Sequence, residues 1–388
     1  MPQSVVLSGH TDVIKLSPLL EALAERWDQA GAMHWLSFFL RASSFQGKKP
    51  CLVLILEPGV TATAETASLL RPEQVYAAVL LFEYRVMGLP TGAFCTDDWA
   101  GFRTVVGPDA ERGAMAAIAA DALIATGAQI VLISYLHAVG TESGFVPAMR
   151  HASRWAFRSR PVATTLMLEP TVKATLAKLG KSTRFNLGYY RRRLNAAMNC
   201  EFVADARGML IEGELDAVNR GSLNPVRPDE FRLQYESACK LPGGFLLGLR
   251  DDRGQWLSLI GGWRQGDVTV LYWQMNASGF EKLSIGTAMR SYFLEHEVQS
   301  GARKLVYYGG TPHSMGNSFV PQEATDLIVR RPSIGAFTLR TLARLFVSLR
   351  YVTRVNSLLV QSITDSQITW RPVDRRPSQQ PQPRRAEL

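Results

Sequence analysis

A six-residue pattern occurs twice in this chain, and its two copies dictate how the rest must be organised. Thr126-Gly127-Ala128-Gln129-Ile130-Val131 aligns with Ser300-Gly301-Ala302-Arg303-Lys304-Leu305. In each, a helical pattern stops at Gly-Ala and a strand-like run follows at once. Glycine reaches the left-handed conformation that ends many helices, so Gly127 and Gly301 both read as the residue just past a helix. The flanks repeat as well. In the first half, strands are expected over 51–57, 75–87 and 102–106. A helix then opens at Pro108 and Asp109 and runs to about 126, and a strand covers 130–135. In the second half, 245–250 and 256–264 read as strands paired across Asp251-Asp252-Arg253-Gly254. A strand over 268–275, a loop over 276–283, a helix over 284–300 and a strand over 304–308 complete it. The shared order predicts a duplicated α/β unit.

The 388 residues suffice for two domains of roughly 100–200 residues each. The expected division is 1–170 and 171–332. An amphipathic helical extension follows over 333–370, and a Pro-, Gln- and Arg-rich tail over 371–388 cannot build a core and reads as disordered. A further amphipathic helical pattern covers 18–39. Cys51, Cys95, Cys200 and Cys239 show no C-x-x-C pair and no Cys/His ligand spacing, which argues against a disulfide framework or a zinc site, and no metal is expected. The first 14 residues lack a basic segment followed by an apolar run, so no signal peptide is read there. The stretch 114–126 is too short to span a bilayer and contains Asp121. These features together predict a reducing, cytoplasmic setting. The net charge of +9 is uneven: residues 330–388 hold eleven Arg against three acids, and the body is nearly balanced.

Leu283-Ser284-Ile285-Gly286-Thr287-Ala288 follows a strand and begins a helix. The first N–H groups of a helix lack internal partners and, with the helix dipole behind them, suit a phosphate or pyrophosphate. Gly286 allows close approach of the backbone to an anion, Thr287 and Ala288 keep the entrance open, and Ser284 serves as N-cap or phosphate ligand. A plain capped helix with a glycine in its first turn is the competing reading. The preceding strand contains Tyr272, Trp273 and Gln274, and the strand after the helix ends in Gly309-Gly310.

This segment resembles the GNAT superfamily, and more closely its FemAB/CelD-like acetyltransferase branch. The resemblance runs over about 179–319, with an echo in 51–136. It rests on Ser284-Ile285-Gly286, Gly301 and Gly310. Gly286 and Ala288 match the Gln/Arg-x-x-Gly-x-Gly/Ala loop of GNAT enzymes, whereas Leu283 stands where that loop has Gln or Arg. The resemblance implies tandem GNAT-like domains, each a mixed central sheet flanked by helices. It also implies acetyl-CoA or a longer acyl-CoA, its pyrophosphate held by the amides of Ser284, Ile285, Gly286, Thr287 and Ala288. The pantetheine arm would lie along Trp273, Gln274 and Met275. The acceptor it suggests is an amine on a small molecule or a glycan, in cell-envelope or polysaccharide metabolism.

Residues 181–194 are helical in period and strongly basic. Leu187, Tyr190, Leu194 and Met198 form one stripe, and Lys181, Arg184, Gly188 and Arg191 another. Arg184, Asn186 and Arg191 match in part an Arg-x-Asn-x-Arg helix of the same branch. A solvated face, a cradle for substrate or CoA phosphates through Arg184 and Arg191, and a contact with nucleic acid compete here. For acyl transfer, His313 and Tyr308 are the acid/base candidates, because they lie just past a strand end in a Gly/Pro-rich loop. Gln274 and Asn317 are candidates to orient the acceptor. No Gly-x-Ser-x-Gly elbow, Walker A loop or Gly-x-Gly-x-x-Gly is present, and His296 reads as structural or surface.

Arg340, Arg344, Arg350 and Arg354 share one side of the carboxyl-terminal helix, opposite Leu342, Leu345, Phe346, Leu349 and Val352. It reads either as docked on the second domain or as a peripheral attachment to the inner face of an anionic membrane through 333–388. Three functions therefore stand open: an acyl-CoA-dependent N-acyltransferase, a Fem-type transferase using aminoacyl-tRNA, and a non-catalytic binding protein that kept the fold.

Overall fold

The computed structural model describes residues 3–29, 36, 40, 48–86, 89–96, 104–136, 149, 151, 154–307, 320–331 and 371–372. Strands β1 (Ser4–Ser8), β2 (Lys49–Leu56), β3 (Val75–Val86) and β4 (Leu89–Cys95) pair antiparallel in sequence order. Helices α1 (His10–Ile14) and α2 (Ser17–Arg26) intervene between β1 and β2. The pattern expected over 18–39 yields α2, and Asp28 at φ +54° then turns the chain. Of the strand expected over 102–106, residues 102–103 lie outside the described residues, and Val105–Val106 form β5, which pairs with β3. Helix α3 (Arg112–Ala125) follows, and β6 (Ile130–Leu136) returns parallel to β4.

A long strand, β7 (Arg154–Met167), and two helices, α4 (Val172–Lys178) and α5 (Lys181–Ala197), lead into the second half. There β8 (Cys200–Val203) precedes α6 (Glu212–Arg220) and α7 (Pro228–Lys240). Strands β9 (Gly244–Asp251), β10 (Trp256–Gln265) and β11 (Val268–Asn276) then form with β8 an antiparallel run. Helix α8 (Ile285–Gln299) connects to β12 (Lys304–Tyr307), which is parallel to β11. The second half thus repeats the first: four antiparallel strands, a helix, and a parallel return.

The repeated Gly-Ala has a local cause. Gly127 (φ +111°) donates to the carbonyl of Ile124 at 3.1 Å, and Ala128 donates to Leu123 at 3.0 Å. Gly301 (φ +85°) donates to Val298 at 3.1 Å, and Ala302 donates to Glu297 at 3.0 Å. Both helices end in the same paired closure, which satisfies carbonyls that the helix leaves open.

The halves are joined by an exchange of strands. The sheet order is β1-β2-β3-β4-β6-β13-β7-β12-β11-β10-β9-β8, where β13 is Val320–Arg330. The strand that follows the first repeat, β7, pairs with β12 of the second. The strand that follows the second, β13, pairs with β6 of the first. β13 and β7 also pair with each other along 154–165, so one continuous mixed sheet crosses the expected boundary at residue 170. β12 covers only Thr164–Met167 of β7. The edge of β7 near Arg154 and Trp155 accepts β14 (Arg371–Pro372) instead, so the first two residues of the expected disordered tail are a strand.

Helix α3 covers one face of the first half through Met115, Ala119 and Leu123 against Val53, Val79 and Ile133. In the second half α8 and α5 bury Phe293, Leu187 and Leu194 against Leu247 and Leu271. Helix α7 covers the opposite face, where Phe231 meets Trp256 and Trp273. A fourth cluster joins Leu20 and Leu54 of the first half to Trp263, Val270 and Val306 of the second. Removing such area from water stabilises by roughly 25 cal/mol per Å², which ties the two repeats together beyond their hydrogen bonds.

Candidate functional site

The site begins at a defect in the β10–β11 ladder. Gly261 faces Trp273 and Gly262 faces Leu271, so Tyr272 is an extra residue with no opposite number. Such a bulge bends its strand and changes which face its side chains take. Leu271 packs on the α8 side, whereas Trp273 and Met275 pack on the α7 side. The bulge sits at the last described pair between β11 and its parallel neighbour β12. Val268–Leu271 pair with Lys304–Tyr307, and beyond Leu271 β11 has no partner strand on that side among the described residues. Tyr272 thus follows the last described pair of β11 with β12 and stands just before the loop that opens α8.

Gly261 and Gly262 make the bulge possible. A Cβ on Gly262 would lie 1.9 Å from the Val270 carbonyl oxygen, and one on Gly261 would lie 2.4 Å from the Trp273 ring. The sequence carried this signal, since a glycine pair inside a strand marks a bulge or a close approach.

The loop folds as a short 3-10 turn over Glu281–Leu283, then Ser284 at φ +48° and ψ +52°. The amide of Ser284 donates to Glu281 at 3.0 Å, that of Thr287 to Ser284 at 2.9 Å, and that of Ala288 to Ser284 at 3.2 Å. The Ser284 and Thr287 hydroxyls lie 3.0 Å apart. This leaves the amides of Ile285 and Gly286 without a protein partner among the described residues. Of the five amides expected to meet an anion, three are used internally and two remain open. The Asn276 side chain flanks Gly286, whose added Cβ would come within 3.0 Å of it. A left-handed conformation costs a non-glycine residue roughly 1–2 kcal/mol. Ser284→Gly is therefore expected to raise stability by about 1 kcal/mol in a thermal melt. A lower melting temperature would mean that the hydroxyl contact with Thr287 outweighs the backbone strain.

Beneath the loop lies a polar chain. The Arg290 Nε donates to Gln274 Oε1 at 2.9 Å, and Gln274 Nε2 donates to Asn276 Oδ1 at 3.1 Å and to the Gly286 carbonyl at 3.2 Å. Ser258 Oγ donates to Asn276 Oδ1 at 2.9 Å. Burial lowers the proton affinity of the Arg290 guanidinium. Arg290 stands one turn after Gly286, about 6 Å of helix rise along α8, and its guanidinium joins the same polar chain through Gln274. Sequence reasoning missed it; an Arg four residues after a loop glycine was the available signal.

The other expected side chains are placed as follows. Trp273 is buried and donates to the Gln234 carbonyl at 3.0 Å, Met275 is buried beside it, and Gln274 belongs to the Arg290 chain. The side chains of all three are engaged in packing or in that chain, so what 273–275 offer to a ligand along the strand is backbone. Arg191 is drawn into the α5–α8 contact, ion-paired with Glu295 and stacked 3.9 Å over the Tyr292 ring. Its burial lowers and the Glu295 contact raises its pKa, with a net increase. The expectation that Arg191 lines a substrate cradle did not include this partner face. Arg184 is exposed and its Nη1 lies 3.5 Å from the Ala177 carbonyl. The acid/base candidates His313 and Tyr308 and the acceptor candidate Asn317 lie outside the described residues, as does the extension over 333–370. Tyr307 is buried, packs edge-on against Phe293, and is pushed up to about 12 by that burial, so its phenol stays protonated. His296 leans on Phe202, its pKa lowered by burial, and lies about 16 Å along α8 from the loop. A polar depression of about 500 Å³ between Cys200, Glu201, Arg250 and Asp252 sits at the outer β8–β9 edge and includes none of the loop residues 281–288.

Repeat topology, the exchanged strands and the strand–loop–helix entrance define a tandem GNAT-like architecture. Solved structures resemble it across most of its length. They include the C-terminal domain of a putative lysylphosphatidylglycerol synthetase from Agrobacterium fabrum, at 12% identity and TM-score 0.48, covering 86% of this chain and 96% of that one. A tandem GNAT protein from the clavulanic acid biosynthesis pathway is 15% identical at TM-score 0.41, covering 86% and 100%. FemX is 9% identical at TM-score 0.46, covering 82% and 96%. At these identities the likeness concerns backbone shape and says nothing of substrate. No family model and no curated protein sequence matches the chain. Among the described residues no helix is long and apolar enough to cross a membrane, and no cluster of His, Cys, Asp and Glu could hold a metal ion.

Proposed function

We propose that this protein is an acyl-CoA-dependent N-acyltransferase, with an amine of a small molecule or a glycan as acceptor. The observation that carries the proposal is the pair of amides at Ile285 and Gly286 left without a protein partner among the described residues, at the start of a 15-residue helix that follows β11. Amides and helix dipole attract an anion, and Arg290 adds to the field. In this reading the edge of β11 over residues 272–275, which has no partner on that side among the described residues, offers backbone donors and acceptors at strand spacing. An extended arm that itself carries amides can pair there as an added strand does. A molecule with a pyrophosphate at one end and two amides along its arm fits both features, which favours acyl-CoA. An acyl group carried on tRNA brings no pyrophosphate to the two amides.

In this reading the acceptor nitrogen attacks the thioester carbonyl within a ternary complex. A C–N bond forms, the C–S bond breaks, and the departing thiolate takes up a proton. The protein's contribution is to hold both reactants in line and to supply donors to the developing oxyanion.

Calorimetry with acetyl-CoA and with longer acyl-CoAs tests the proposal. Binding is expected, and Gly286→Val should weaken it at least about tenfold, or 1.4 kcal/mol, because the new side chain crowds Asn276 and the open amides. Folded protein that gives no heat with any acyl-CoA would sink the reading. CoA binding without thiol release over a broad amine panel would favour a binding protein instead.

A further inference from the structure

Helix α5 has two faces with different work. Thr183, Leu187 and Leu194 are buried against the body of the second half. The opposite face carries Lys181, Phe185, Tyr189 and Arg192 within about 80° of arc, with Arg193 beside them. Phe185 is 60% exposed and Tyr189 38% exposed. The helix has five cations and no acid, and only Arg191 is turned inward to Glu295. The body of the chain is nearly neutral, so this positive face is a local feature. Charge complementarity demands an anionic partner, and the two exposed rings demand one that also accepts apolar surface.

The ring geometry separates the candidates. Phe185 and Tyr189 stack on each other at 5.5 Å and 12°, Tyr190 meets Tyr189 edge-on at 5.1 Å, and Arg193 lies 6.0 Å over Tyr189. The Tyr189 ring is thus engaged within the helix. A single-stranded nucleic acid needs successive open ring faces on which to stack its bases. Here the outward presentation is a compact aromatic wedge ringed by ammonium and guanidinium groups. That is the composition of a helix lying in the headgroup region of an anionic bilayer. A second copy of the chain would bring the same positive face, and residues 330–388, with eleven Arg against three acids, carry the same sign.

We propose that the outward face of α5 docks the protein on an anionic lipid surface. Phe185 and Tyr189 enter the headgroup layer, and Lys181, Arg192 and Arg193 meet lipid phosphates. The acyltransferase reading is not required for this.

Flotation of the full chain with vesicles tests it at physiological salt. Binding is expected to equimolar phosphatidylcholine and phosphatidylglycerol and not to phosphatidylcholine alone. At about 1 kcal/mol per cation, Arg192→Gln with Arg193→Gln should reduce partitioning about thirtyfold. Phe185→Ser with Tyr189→Ser should reduce it at least about tenfold. All four positions lie on the solvent side, so circular dichroism and thermal melts should stay unchanged. Partitioning untouched by both double variants, or equal affinity for neutral and anionic vesicles, would overturn the proposal. So would absence of vesicle binding together with retention of an RNA oligonucleotide that Phe185→Ser abolishes.

Discussion

Arg264→Met is expected to destabilise the folded protein by about 3–5 kcal/mol, the range for stranding a buried charge. Glu297 on α8 is fully buried, and its carboxylate accepts from Arg264 Nε at 3.2 Å and from Thr269 Oγ1 at 2.6 Å, with a further bond from Arg264 Nη2. Removing the guanidinium leaves the buried carboxylate with Thr269 as its neutral donor. A third of the Arg264 side chain remains in solvent, which places the expected loss toward the lower end of that range. Arg264→Met combined with Glu297→Leu should recover most of the loss, because an apolar pair of similar size removes the desolvation cost altogether. Urea midpoints at constant m-value measure both. A single-variant loss under about 1 kcal/mol would mean that water reaches Glu297 once Arg264 is gone.

Gly262→Ala should cost about 3 kcal/mol or more and should also abolish acyl-CoA binding. The methyl group would stand 1.9 Å from the Val270 carbonyl oxygen and 3.1 Å from the Phe245 ring. The obstructing atom is backbone, and β11 cannot retreat, because Val270 is paired with Val306 on its other side. Relief requires opening the ladder at the bulge, a few residues before the loop that carries the open amides. Stability and binding should therefore fall together. Gly266→Ala is the matched control: it lies in the same hairpin at φ +57° with nothing within 4 Å of the added Cβ. It should cost only about 1 kcal/mol and leave binding intact. Equal losses for the two variants would remove the bulge from the argument.

Much of the second half could be read directly. Strands 9 to 12 and helix 8 form within one or two residues of expectation, because each is bounded by a local signal: the Asp251–Gly254 turn, the Ser284 entrance and the Gly301 closure. The inner stripe on α5 was also legible, since Leu187 and Leu194 pack as the period demands, whereas of the basic stripe read beside it only Lys181 and Arg184 are exposed. The fate of Arg191 was not, since Glu295 and Tyr292 lie more than a hundred residues away and only docking of α8 brings them near.

What the sequence by itself determined is the duplicated unit. A helix that ends on a left-handed glycine with two closing hydrogen bonds is a property of about six neighbouring residues, so it shows in the chain without knowledge of the fold. What only the tertiary structure decided is how the two units join and where the site opens. β7 contains Arg158 and Pro161, which mask its strand character. Pro161 is tolerated because the register with β13 shifts there. The exchange of β7 and β13 and the parallel pairing of β11 with β12 depend on which distant backbone edge each strand meets. Backbone hydrogen bonding is the same for every residue type, so that choice is made by the packing of whole faces and not by any short stretch of sequence.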